Sequence, residues 1–474
     1  MQLRRESDFE KKYNVFIAEL KDEILSGRIR EGDFLLPENS LSKKYDISRV
    51  SIRKGLAELV EEGYIEKIPG KGNKVIIDSL SSVTTIKLAW FSSSYELNSV
   101  KLILEEFEKV HPYIKVELDI LPEAEYVNQL INSMEQEKGP DLFMVSDSQF
   151  REFAEKGKID HIEPYQSDNL TEEKSYRQVF EMFSYQGIIH AVPFIFSPVV
   201  ICYNKSILEK AGVSELNEIE DWEELLYLAK KCTKSAENEH LVEQYGFCFS
   251  SSYHRWPVFM LQNNGKLMTS SRSRFTIADK ANIEALRFCT DLIYKHHVSP
   301  IFTHGSDHLA EDIFKKQKAG MILTTYYYLN EFRGSSIKWD ILPVPKKERK
   351  ATLLIGGGVA INKNSQHKGA AQSLIEFMVS EEAQSIVKRN GCTIPALRKT
   401  AENDDLLVEG IHPENYNAFL EVLPYSHTVN DLNLTSRETI VLQNELNLVW
   451  ANMETPHDAC YRIEKTLNRM LAES

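Results

Sequence analysis

The 474-residue chain is poor in cysteine, with six, and none is spaced as a C-x-x-C pair. That leaves a disulfide scaffold and a zinc ribbon without support. Scattered thiols of this kind fit a reducing cytoplasm. Long apolar runs are also missing. The longest, residues 191–203, carries Pro193 and Pro198 and falls short of the roughly 20 residues that span a bilayer. No apolar segment follows Met1 in the way a signal peptide requires. We therefore expect a cytoplasmic chain without a membrane partner. Neither a G-x-x-x-x-G-K-[ST] phosphate loop nor a G-x-S-x-G nucleophile elbow occurs, and no cofactor motif is present. His304 and His308 have i, i+4 spacing, but Gly305 and Ser306 argue against a helix there, so no metal site is expected. The expectation is a protein without catalysis, metal or cofactor.

Charge is present in quantity but unevenly placed. The net charge is −14, yet residues 1–78 hold 15 basic and 15 acidic side chains and are neutral. The acidic remainder would repel nucleic acid. Within the neutral part, Lys43, Lys44, Arg49, Arg53 and Lys54 cluster against Asp46 alone. Residues 13–25 place Phe16, Ile17, Leu20, Ile24 and Leu25 at helical spacing. A brief helix over 41–45 follows. Ser48 then caps a third helix, with Ile52, Leu56, Leu59 and Val60 as its buried stripe. Two strands, 64–68 and 74–77, flank Pro69-Gly70-Lys71-Gly72-Asn73, residues suited to a turn. Three helices and a hairpin in about 70 residues make a winged helix-turn-helix, whose third helix presents Arg49, Val50, Ser51 and Arg53 to a DNA groove.

Residues 13–77 resemble the winged-helix domain of GntR-family bacterial transcription regulators. The resemblance rests on "SRVSIRKGLAELVEEG" and the "PGKG" wing. It implies that Arg49, Ser51, Arg53, Lys71 and Gly72 touch DNA, with Val50 beside them. The family's usual L-P-S-E-R/N-x-L-A is replaced by Leu36-Pro37-Glu38-Asn39-Ser40-Leu41, which leaves Ser40 to supply a weak contact.

The domain expected over 8–78 is followed by a serine-rich linker, 79–85. From residue 86 strand-like and helix-like segments alternate: strands 86–91, 114–120 and 141–145, helices 100–110, 126–135 and 150–156. This order implies an α/β sheet whose strand ends bind ligand. Those ends, Ser92-Ser93-Ser94-Tyr95 and Ser146-Asp147-Ser148, are rich in hydroxyls and suit a polar, neutral ligand. Residues 86–474 resemble the family 1 extracellular solute-binding proteins, the sugar-binding subunits of ABC importers. The matching segments include "GPDLFMVSDSQFREFAEKGKIDHIEPY", "GIIHAVPFIFSPVVICYNKSILEKAGV" and "LIGGGVAINKNSQHKGAAQSLIEFMVSEEAQ". The resemblance implies a two-lobed α/β fold of the type II periplasmic-binding-protein kind. One lobe is expected over 86–195 and 326–367, the other over 198–322 and 368–474, with hinges near 193–199 and 324–327. It also implies sugar stacking on Tyr95, Phe196, Trp256, Tyr326 and Tyr327, and polar contacts from Ser93, Ser94, Glu96, Asp147, Arg255 and the backbone at Gly357. Together the two resemblances imply a homodimeric, DNA-binding regulator that answers to a small solute, most simply a sugar. The other reading is a regulator whose C-terminal domain is a degenerate dimerisation or protein-interaction module.

Overall fold

The computed structural model describes residues 8–25, 28–76, 83–235, 242–301 and 309–473. Most of the 79–85 linker and the His304/His308 pair lie outside them.

The first domain is built from α1 (Asp8–Leu25), α2 (Glu38–Tyr45), α3 (Arg49–Glu61), β1 (Ile65–Ile68) and β2 (Gly72–Val75). Phe16, Leu20 and Ile24 from α1 meet Leu41, Ile52, Leu56 and Leu59 in one small core. Val60, expected in that core, is 38% exposed. Gly55 is buried instead, where an added Cβ would lie 2.5 Å from Ile17 Cδ1. The helix crossing is close enough that a stripe drawn through large side chains alone misses it. β1 and β2 pair antiparallel from Ile65↔Val75 to Ile68↔Gly72. The turn between them needs positive φ at Gly70 (+77°) and Gly72 (+117°), which glycine adopts without strain.

Beyond Val83 the chain forms β3 (Thr84–Phe91), α4 (Leu97–Val110), β4 (Ile114–Leu121), α5 (Tyr126–Glu135), β5 (Leu142–Ser146) and α6 (Asp147–Glu155). The strands pair in the order β4-β3-β5, all parallel. The sheet continues through β11 (Thr352–Asn362), then β6 (Ala191–Pro198), then the short strand Ile394–Pro395, all antiparallel to their neighbours. A second sheet runs Lys234–Ser235, β8 (Val242–Cys248), β9 (Ala319–Thr324), β7 (Val200–Asn204), β10 (Trp339–Leu342). Its faces alternate. Cys202 and Ile322 point to the core of the larger sheet, while Ile201, Tyr203, Met321 and Leu323 point to a separate core. That second core is closed by α7 (Trp222–Cys232), α8 (Lys280–Tyr294), α11 (Ser436–Trp450) and α12 (Pro456–Glu473).

This packing corrects the lobe boundaries expected from sequence. α9 (Lys368–Met378) and α10 (Glu381–Arg389), with the short strand Ile394–Pro395, pack on the large sheet and not in the small lobe. The small lobe regains the chain from Val429. β10, expected in the large lobe, is a strand of the small sheet. After β11 the chain turns straight back onto the sheet it has just left, because α9 and α10 cover α4 and β3. Periodicity marks these segments as helices but carries no sign of which sheet they cover.

Three segments cross between the lobes side by side. Val199 joins β6 to β7 and donates its N–H to the Leu353 carbonyl at 2.8 Å. Thr352 returns a hydroxyl hydrogen bond to the Val199 carbonyl at 2.6 Å. Ser426–Thr428 then pairs parallel with residues 352–354. The expected hinge at 193–199 ends at this bundle. At the other expected hinge, the Tyr326 N–H donates to Ser197 Oγ at 2.9 Å, and the chain then returns to the small sheet at β10.

Candidate functional site

The DNA-facing candidates sit on α2, α3 and the hairpin tip. Ser48 caps α3 and accepts the Ser51 N–H at 3.2 Å; the two hydroxyls lie 2.9 Å apart. Capping at Ser48 leaves the first two turns of α3 carrying Arg49, Val50 and Arg53 outward, with Val50 74% exposed. Ser40, Lys71 and Gly72 are exposed, and Ser51 is half-buried by its capping role. Sequence reading missed Glu38, in the first turn of α2, whose Oε2 accepts from Arg53 Nε at 2.7 Å. Such an exposed pair contributes only about 0–1 kcal/mol. It holds the guanidinium in place without preventing transfer to a phosphate or base.

The second site is the cleft between the lobes, a space of about 740 Å³. The large lobe contributes Ser93, Ser94 and Tyr95 after β3, Ser146–Ser148 where β5 runs into α6, and Gly356 of β11. The small lobe contributes Ser250, Ser252, Tyr253, His254 and Arg255 after β8, and Gln443 of α11. Tyr327 and Tyr328 stand at one side.

Its floor is polar and buried. Ser146 Oγ accepts the Gln149 N–H and the Gln149 side chain accepts the Ser146 N–H, a capping box that starts α6 at Asp147, three residues before the predicted helix. Asp147 is therefore the first helical residue, 5% exposed, and its Oδ2 has no hydrogen-bond partner. Burial pushes its carboxyl up to about 6, against the opposing pull of Arg151 and the Gly356 and Ser148 backbone N–H groups. Arg255 is 5% exposed. It donates to the His254 carbonyl at 3.1 Å and to Thr325 Oγ1 at 3.3 Å, and lies 5.6 Å from the centre of the Tyr328 ring. Burial, with the Arg255 and Arg151 charges, pushes His254 down to about 3, so its ring is neutral, and Nε2 has no partner. Tyr95 meets Tyr328 edge-on with centroids 6.2 Å apart and donates its hydroxyl to Glu331, which Lys315 holds at 2.8 Å. An acceptor at Asp147, donors at Arg255, a neutral imidazole and a ring of hydroxyls match a ligand bearing many hydroxyls.

Six of the expected ligand residues meet here: Ser93, Ser94, Tyr95, Asp147, Arg255 and Tyr327. Five do not line the cleft. Phe196 is fully buried and packs edge-on against Tyr176. Trp256 is 1% exposed in the small-lobe core, against Trp450. Tyr326 is fully buried with its ring 4.1 Å from that of Tyr327, one position short of the cleft. Glu96 is 2% exposed and serves as a strut, accepting from Ser94 at 2.6 Å and Thr393 at 3.2 Å, with its carboxyl raised by burial. Gly357 packs against β5, where a Cβ would come within 2.0 Å of Met144 Cε; its neighbour Gly356 lines the cleft. For all of these but Phe196, a residue one or two positions away lines the cleft. The 250–254 loop and Gln443 carry no local signal, because the fold brings them to β3 and β5 from more than 100 residues away.

Among the described residues no group of three His, Cys, Asp or Glu side chains is placed to hold a metal, and no helix is long and apolar enough to cross a membrane.

Comparison with known proteins follows the two-part architecture. Residues 93–385 match the bacterial extracellular solute-binding protein family, and residues 12–75 match the bacterial regulatory proteins of the gntR family. An arabinooligosaccharide-binding protein of Halalkalibacterium halodurans is 24% identical over 290 residues, 57% of this chain and 61% of that protein. The regulator TreR of Bacillus subtilis is 41% identical over 68 residues, 14% of this chain and 29% of its own length. The chain thus spans less than two thirds of either relative. Among solved structures, an ABC substrate-binding protein from Listeria monocytogenes in complex with cycloalternan superposes with a TM-score of 0.71 at 26% identity, over 82% of this chain and 99% of the other. Maltose-bound MalE3 of T. maritima shares the fold at a TM-score of 0.69 and 23% identity, over 82% and 100%. The chain belongs to the bacterial extracellular solute-binding protein family, and carries ahead of that domain a GntR-type helix-turn-helix at residues 12–75.

Proposed function

We propose that the protein is a cytoplasmic transcription regulator whose affinity for operator DNA is set by a sugar or oligosaccharide bound between the lobes. The observation that carries this reading is the cleft itself. It is polar, lined from both lobes and set with buried groups of unused hydrogen-bonding capacity, and it belongs to a chain that also bears a winged helix. A solute held by both lobes favours the closed arrangement over the open one, and that difference in affinity is the free energy available for control. The sugar-binding relatives support the ligand class, and the gntR match supports operator DNA as the macromolecular partner. DNA contacts fall to Arg49, Val50, Ser51, Arg53, Lys71, Gly72 and, weakly, Ser40; sugar contacts fall to Ser93, Ser94, Tyr95, Asp147, Arg255 and Tyr327. One winged helix buries too little surface for operator-grade specificity. We infer a homodimer on a palindromic site with half-sites about 10 bp apart. Both family matches are to binding and regulatory proteins, and the reading assigns the chain no reaction.

A thermal-shift screen tests the sensor. A sugar at about 100 times its dissociation constant stabilises its protein by about 2.7 kcal/mol. A shift with one class of sugar supports the reading. A flat response from the folded protein across sugars, amino acids, polyamines and oxyanions would favour the interaction-module reading instead.

A further inference from the structure

The helix α9 is buried on almost every side. Leu374, Ile375 and Met378 enter the core of the large lobe, and Gly369, Ala370 and Ser373 are buried too. A helix lying on the outside of a sheet ordinarily keeps a polar face in water. Here α1 of the winged-helix domain packs along it. Arg28, just beyond α1, donates from Nη1 to Gln372 Oε1 at 2.9 Å. α1 also sends Phe16, Leu20 and Ile24 into its own domain, so it joins the core of the DNA-binding domain to the large lobe.

α9 is a well-anchored seat. Its Glu376 accepts from the Tyr165 hydroxyl at 2.8 Å, the Ser167 hydroxyl at 3.0 Å and the Asn169 N–H at 3.0 Å. It also follows directly on β11, which carries the crossing at 352–354 and Gly356 in the cleft. One stretch of chain therefore runs from hinge to cleft wall to the platform under the DNA-binding domain.

We propose that the winged-helix domain rides on the large lobe as one body through the α1–α9 contact, so that a solute closing the cleft turns the small lobe relative to the recognition helix. The docking rests on the packing alone. Its regulatory consequence rests on the function proposed above. Control of DNA binding then works through the orientation of the small lobe relative to α3, not through release of a tethered domain.

The test uses spin-label distances in the full chain. The six native cysteines are buried, so cysteines placed at exposed Lys67, in the hairpin, and Lys101, on α4, take up the label selectively. The expected result is one narrow Lys67–Lys101 distance distribution, broadened by Ser373→Arg, which puts a long cation at a buried position of the helix that α1 packs against. A domain free on the seven bonds between residues 76 and 83 would instead spread over about 15 Å, from roughly 5–6 Å per square root of linker length. A broad distribution in the parent chain would overturn the proposal, as would a distribution that Ser373→Arg leaves narrow. Circular dichroism and melting of the variant show that the lobes remain folded. The distances are read without solute, so a chain that binds no sugar still decides the docking. A second pair, Lys67 with Lys280 of the small lobe, then reports on the regulatory reading: with maltotriose added it is expected to shift while Lys67–Lys101 stays fixed. A shift in Lys67–Lys101 would overturn the single-body proposal.

Discussion

Asp147→Asn separates what the cleft costs from what it provides. In the folded chain the Asp147 carboxyl sits near 6, raised by burial; in an unfolded chain it sits near 3.9. A raised carboxyl means that the folded state prefers the neutral form. The penalty is absent below about pH 4, grows between about pH 4 and 6, and is complete above that. Two pH units at about 1.4 kcal/mol each give a cost of about 3 kcal/mol at neutral pH. Asparagine keeps the shape and cannot ionise. The stability difference between variant and parent should therefore move by about 3 kcal/mol in favour of asparagine between pH 4 and pH 7.5. Denaturant unfolding of both proteins at each pH measures this, and groups common to both cancel. The same change removes a charged acceptor, whose hydrogen bonds are worth about 1.5–3 kcal/mol, so sugar affinity should fall roughly 10- to 150-fold. The parent should also lose affinity as pH falls through about 6. A stability difference independent of pH would refute the claim that this carboxylate is held desolvated, and with it the argument that the site holds an unused acceptor for a ligand.

Other outcomes follow from the same geometry. Arg49→Ala should weaken specific DNA binding by about 1–3 kcal/mol while leaving the sugar-induced thermal shift intact, measured by anisotropy and melting of one preparation. Trp256→Ala should cost about 3–5 kcal/mol of stability, because Trp256 fills the small-lobe core; a variant of parental stability with lost sugar binding would put the ring back in the cleft. Arg255→Ala should do the opposite, weakening sugar binding with a smaller change in melting. Gly55→Leu should disrupt the winged-helix domain, since even a Cβ lies 2.5 Å from Ile17, while sugar binding by the lobes survives.

The sequence was legible where local rules decide. The winged helix, the hairpin glycines, the Ser48 cap and the β-α alternation of residues 84–155 follow from period, cap and turn chemistry. The cleft was legible at strand ends, because topology fixes where β3 and β5 finish. It was not legible where the ligand space depends on side-chain direction. Tyr326 and Tyr327 are adjacent and identical in type, yet one is core and one is cleft. Arg255 lines the cleft, whereas Trp256 beside it, at the N-cap of the short helix Pro257–Gln262, is buried in the small-lobe core. The placement of α9 and α10 depends on which sheet lies nearest after β11, a long-range fact with no local trace.

The central claim is that solute and DNA are coupled. The direct measurement is fluorescence anisotropy of the full chain on a DNA fragment from the region upstream of its own coding sequence, with and without a saturating amount of whichever sugar shifts its melting temperature. Coupling of about 1–3 kcal/mol predicts a change in DNA affinity of roughly 5- to 150-fold. An affinity that stays the same while the sugar is demonstrably bound would contradict the account.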